Sequence, residues 1–298
     1  MNTTTKSSFP TIMAGAGRLA LQWRLLVLWI GALLIPTALL TVPLWQIFST
    51  QLDHTLHASE LAHHLTMNAA NDLMTSVVTD GALLKPAGLL ALIVTLLLSP
   101  FLSGVAIAVA RAKVHGEPRL SFGGLVHGGI GEYWRMLRML LLAVVPLGIA
   151  GGIGGALMNL ADKYALHAIL RSDADLAAHA ATVATVLLLL LALATVDAGR
   201  AQFALSLKRR SAIMAWGRGC KLLFKRPLGS IGSYFVLTIV GVVVVVVMGL
   251  LRINVSHVEI PGFVLGLALT QLAAAAMAWM RSSRLFAMID LARQEAPV

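Results

Sequence analysis

Along the 298-residue chain the apolar positions gather into six long runs almost free of charge, at 25–48, 87–110, 139–161, 180–205, 227–251 and 261–280. A hydrocarbon layer ~30 Å thick needs ~20 apolar residues at ~1.5 Å of helical rise each, and these runs meet that length. Helices are predicted because unpaired backbone groups are too costly in lipid, and the runs are too long for barrel strands. The pattern predicts an all-α integral membrane protein, a single membrane domain over residues 1–298 with six transmembrane helices. An outer loop at 51–86 and inner loops at 111–138 and 206–226 connect them. The first run is far longer than a signal-peptide core and no small-x-small cleavage site follows it, so it is expected to be retained.

Composition agrees, with 58% hydrophobic and 12% charged residues and a mean hydropathy of +0.84. Soluble chains carry about 25% charged residues, so a soluble domain is excluded. The charge is sided. With both termini cytoplasmic, nineteen Lys and Arg and five carboxylates fall inside, against four cations and eight carboxylates outside. Cation bias orients membrane proteins, so the net charge of +10 is a topology signal and nucleic acid is not an expected partner. The single cysteine, Cys220, excludes an internal disulfide framework and falls on the reducing side.

A repeat underlies the spans. The segments AGAGRLALQWRLL (14–26), GGIGEYWRMLRML (128–140) and GRGCKLLFKRPL (217–228) precede the first, third and fifth runs. Aligning Arg24, Arg135 and Lys225 also superposes Trp23, Trp134 and Phe224, and in the last two copies Ser121 meets Ser211 and Gly129 meets Gly219. Three helical hairpins, each led by a cytoplasmic interfacial amphipathic helix, are the economical description. In the third copy Ile213, Trp216, Cys220, Leu223 and Phe224 share one helical stripe, with Arg218, Lys221 and Lys225 opposite. Ser211 is the expected N-cap, and Pro227 ends this helix. Such a helix lies in the headgroup plane with its cations toward anionic lipid, and Arg135 and Arg138 are assigned the same lipid-facing role. The glycine-rich segment 115–134 has no phosphate-loop pattern and reads as a broken interfacial helix.

Polar residues within the runs are the candidates for function. Asp197 and Arg200, at i,i+3 near the inner end of the fourth run, can pair; Thr270 and Gln271 sit near the middle of the sixth. The alternatives are a polar cluster on a conduction path and a helix-fixing ion pair with interhelical hydrogen bonds. Gly148 with Gly152, Gly151 with Gly155, and Gly262 with Gly266 have GxxxG spacing, which predicts close helix packing, within the chain or against another subunit. In the outer loop, Asp53, His57, Glu60 and His64 fall within about a 60° arc of a helix, a candidate zinc-type site. Their stripe would be about 16 Å long, so one ion would take only two or three of them; the alternative is a solvated helical face.

Six spans, the VDAGR segment holding Asp197 and Arg200, and a basic loop ending LLFKRPLGSIGSYF resemble the YciC-like bacterial inner-membrane proteins. The membrane domain fused to some glycerophosphodiester phosphodiesterases is similar. The resemblance implies a fold and a location in the bacterial inner membrane, and no activity. Paired catalytic groups are missing from the runs, so a non-enzymatic protein without cofactors is expected. Two functions remain: a transport or transport-accessory subunit handling a lipid or amphipathic substrate, and an assembly protein docking other subunits, or a second copy, through interfacial helices and GxxxG faces. Membrane lipids, with anionic headgroups at the cytoplasmic face, are the partners common to both.

Overall fold

The computed structural model describes residues 9–52, 75, 84–114, 116–205, 211–255 and 260–295. Among the described residues eight helices are α1 (Phe9–Ala20), α2 (Trp23–Leu52), α3 (Leu84–Val114), α4 (Phe122–Ala165), α5 (Arg171–Ala204), α6 (Ala212–Lys225), α7 (Pro227–Ile253) and α8 (Ile260–Glu295). There is no strand among the described residues. Six of these helices, α2, α3, α4, α5, α7 and α8, are long and apolar enough to cross a membrane. They contain the six apolar runs, and several extend well past them.

Neighbouring helices in sequence pack on one another: α2 on α3, α3 on α4, α4 on α5 and α7 on α8. The short helices lie along this bundle, α1 against α8 and α6 against α5. Trp279 on α8 donates to the Gly17 carbonyl of α1 at 3.0 Å. Ser121 and Ser211 both cap helices, accepting from the amides of Gly124 and Met214. Arg226 separates α6 from α7, which starts with Pro227, where the missing N–H costs nothing.

The core occupies one end of the bundle. On α3 the buried residues cluster in 100–112, on α5 in 192–203, on α7 in 230–241 and on α8 in 278–292. The other halves of these helices expose most of their large apolar side chains, as at Val246, Leu250, Leu265 and Leu272. The C-terminal part of α8 is the centre of that core. Ser282, Ser283, Arg284, Leu285, Phe286, Ala287, Met288 and Ile289 are all buried, so this stretch is surrounded on every side. It lies beyond the apolar run 261–280.

Two more expectations change. The glycine-rich segment is not a broken helix: Ser121 starts α4, which runs unbroken through the glycines for 44 residues. The α6 stripe is divided. Trp216, Cys220 and Leu223 turn toward the protein beside Ala215, Gly219 and Leu222, whereas Ile213 and Phe224 are exposed. The reason is a close crossing of α5. A Cβ on Gly219 would lie 2.5 Å from the Gly199 nitrogen. That contact fixes the rotation of α6 and leaves a third, apolar face between the packed face and the cations. Gly129, which the repeat pairs with Gly219, makes the same kind of approach: a Cβ on its neighbour Gly104 would lie 2.9 Å from the Gly129 carbonyl oxygen.

Of the two packings expected for the GxxxG glycines of α4, the one within the chain is not made. Around Gly148, Gly151, Gly152 and Gly155 there is open space, and Gly154, one position away, is the glycine that meets α5 at Thr185. Spacing identifies a face that permits close approach, and helix rotation decides which face receives a neighbour. Gly266 is buried, but it accommodates the Arg252 guanidinium and not a helix backbone; Gly262 is half-buried. These contacts predict that Gly219→Ala lowers thermal stability in detergent by about 1–3 kcal/mol through overpacking. Gly217→Ala and Gly152→Ala, both in open space, should be neutral or gain up to about 1 kcal/mol of helix propensity.

Candidate functional site: a buried ion network

Beside the α8 core the last turns of α5 anchor two groups of ionised side chains. In the first, Glu132 of α4 lies between two guanidinium groups. Arg111 of α3 donates to Glu132 Oε1 at 2.5 Å, and Arg135 donates to Oε2 at 2.8 Å. Arg111 also donates to the carbonyls of Phe203 at 2.7 Å and Ala204 at 3.2 Å. Those carbonyls end α5 and have no partner within the helix, so Arg111 caps α5 with a cation where the helix dipole favours one. Arg135 stacks over the Phe203 ring at 4.8 Å. One residue thus ties three helices.

The second group starts from the pair that spacing predicted: Arg200 donates to Asp197 Oδ1 at 2.9 Å. Opposite stand Tyr234 and Thr238 of α7 and Arg284 of α8. Arg284 is 7% exposed, donates to Thr238 Oγ1 at 3.2 Å and lies over the Tyr234 ring at 4.6 Å. It has no carboxylate partner among the described residues. The Nε atoms of Arg200 and Arg284 are buried without a hydrogen-bond partner, and the Tyr234 hydroxyl lies within reach of Asp197. Exposed Arg281 adds a further positive charge within electrostatic reach of Arg284 and Asp197. Across both groups, exposed Arg281 aside, four guanidinium groups face two carboxylates. In a low-dielectric interior such an excess attracts anions or ordered water.

The sequence-predicted residues sort differently. Asp197 and Arg200 are in the network. Arg135, expected to face lipid, is instead held by Glu132 and Phe203, because α4 buries the turn holding Leu125, Gly129, Glu132 and Met136 against α3. Arg138, Arg218, Lys221 and Lys225 are exposed, and Lys225 reaches Glu295 at 3.8 Å. Thr270 is exposed and bonds its own helix at the Gly266 carbonyl, and Gln271 is half-buried, so neither joins the network. Asp53, His57, Glu60 and His64 lie outside the described residues, and no metal-holding cluster of His, Cys, Asp or Glu occurs among the described ones. Sequence reasoning missed Arg111, Glu132, Tyr234 and Arg284. Arg111 and Arg284 fall among the cations that sidedness alone explains, and the one available signal is Glu132, one of two acids in the cation-rich segment 111–138.

Comparison with family models, curated proteins and solved structures finds no match to this chain.

Glu132→Gln would leave two guanidinium groups without their shared counter-charge, an expected loss of about 3–5 kcal/mol in detergent unfolding. Arg111→Gln should cost less, since Arg135 still neutralises Glu132. Cys220 on α6 gives an independent check on packing. Burial pushes its thiol up, so less of it is thiolate at neutral pH. Maleimide labelling should be slower than for a free thiol at pH 7 and should recover only at a more alkaline pH.

Proposed function

We propose that this chain is a non-enzymatic inner-membrane protein, a transport or transport-accessory subunit for an anionic lipid or other amphipathic anion. The observation that carries this reading is the surplus of guanidinium charge at one end of the spans, with Arg284 buried and Arg111, Arg135 and Arg200 half-buried. Ionised groups within a membrane bundle are expensive and mark the paths or docking points of charged ligands. Arg284, buried without a carboxylate partner among the described residues, is the group that would meet such an anion.

In this reading the six spans form three hairpins with both termini cytoplasmic, and the network lies at the cytoplasmic end. The sidedness of the lysines and arginines supports the orientation. The three-sided α6 supports an interfacial location: one face is packed on α5, exposed Ile213 and Phe224 meet acyl chains, and Arg218 and Lys221 meet anionic headgroups. The exposed Trp23, Trp134 and Phe224, which the repeat equates, suit the interfacial level at which aromatic residues collect. The resemblance to YciC-like proteins supports the bacterial inner membrane.

A second reading, assembly with another membrane subunit or a second copy, is favoured by the open glycine face of α4. Under it, Gly151→Leu would release a partner that co-purifies in mild detergent and leave lipid movement unchanged.

The test of the first reading is reconstitution into liposomes with a fluorescent anionic phospholipid and measurement of its movement between leaflets. Wild-type protein should accelerate that movement. Asp197→Asn and Arg284→Gln should slow it about tenfold or more, the scale of one lost charge-assisted hydrogen bond. Unchanged rates with normally assembled variants would remove the network from any conduction path.

A further inference from the structure

A second basic site lies apart from the ion network. A cavity of about 410 Å³ opens between α1, the end of α3 and the turn leading into α4. Its polar lining is Arg18 from α1, Gln22 from the link between α1 and α2, Lys113 from α3, and Glu117 and Arg119 from the turn. Three cations face one carboxylate. Lys113 also reaches Asp290, but only at 3.9 Å and while half-exposed. The remaining wall is apolar, from Leu19, Val109 and Leu120.

The cavity is built by the fold. Gly116, at φ +69°, ends α3 in a left-handed turn, with its amide on the Lys113 carbonyl and the Glu117 amide on the Ala112 carbonyl. This closes a Schellman motif, which only glycine adopts without strain and which occupies two carbonyls that would otherwise repel an anion. The wall after the turn is pinned from α2, where Arg24 donates to the Leu120 carbonyl at 3.0 Å. Next in sequence to Gln22 and close to Leu120, Trp23 and Phe122 pack edge-to-face at 5.3 Å and are both exposed. An exposed aromatic pair beside a basic cavity at the end of spanning helices matches the level where phosphate gives way to acyl chain.

We propose that this cavity binds a phosphate ester, the headgroup of an anionic phospholipid, with Arg18, Lys113 and Arg119 on the phosphate oxygens and Gln22 on the ester or glycerol oxygens. The apolar wall and the Trp23–Phe122 pair receive the start of the acyl chains. This does not rest on the transport reading, since a scaffold would hold a lipid there equally well.

Native mass spectrometry of the full chain, purified in mild detergent and titrated with phosphatidylglycerol, tests it. Wild-type protein should retain one such lipid per chain through detergent exchange. Arg18→Gln/Arg119→Gln should lower its occupancy at least about tenfold, and Arg18→Lys/Arg119→Lys should restore most of it. Glu117→Gln, an exposed change that does not threaten folding, should raise retention by removing the opposing charge. The control Arg218→Gln/Lys221→Gln removes two cations from α6 and should leave retention unchanged. If inorganic phosphate alone displaces the lipid from wild-type protein and binds with the same variant profile, the site stands and free phosphate is its ligand. Equal loss in the cavity and control variants, or no loss in the cavity variant together with no gain in Glu117→Gln, overturns it.

Discussion

A carboxylate held between two guanidinium groups sets the arrangement of the bundle's packed end. Glu132 is buried between the guanidinium groups of Arg111 and Arg135, which share its charge. Their geometry fixes more than charge. Because Arg111 also occupies the last carbonyls of α5, it decides where α5 ends relative to α3 and α4. That registry brings Asp197, Arg200 and Gly199 to the level where α6 crosses and where α7 and α8 supply Tyr234 and Arg284. Side-chain charge here acts as a position marker along otherwise slippery apolar helices, where dispersion alone distinguishes one register poorly from the next.

The one-ended core follows. Near the network the helices are bound by ion pairs, glycine crossings at Gly104/Gly129 and Gly199/Gly219, and the fully enclosed stretch 282–289 of α8. Farther along, the same helices carry Leu, Val and Ile on most faces with few internal partners. In lipid these faces cost nothing to expose, so nothing compels the far halves to pack tightly. A bundle clamped at one end and loosely associated at the other can part its helices without unfolding.

Part of this was legible in the sequence. The six spanning helices followed from run length and lack of charge, the Ser211 cap from residue type, and the Asp197–Arg200 pair from i,i+3 spacing. What could not be read was which partner each element chooses. RSSRLFAMID has no apolar run and two arginines, so it looks like a solvated tail; its burial comes from the helices packed around α8. Arg111 and Arg135 sit in basic segments where sidedness alone explains a cation, which hides their specific partner Glu132. The α4 glycines show the converse, a correct spacing on a helix whose rotation turns that face away from its neighbours.

The claim that the bundle is clamped at the ion network and loose beyond it is tested most directly by pulsed electron–electron resonance in nanodiscs. On a Cys220→Ser background, spin labels at exposed Val126 and Leu228 report the packed end of α4 and α7, and labels at exposed Leu160 and Leu250 report the far end. A narrow distance distribution is expected for the first pair and a clearly broader one for the second. Equal widths, or a broader distribution at Val126 and Leu228, would contradict the clamp.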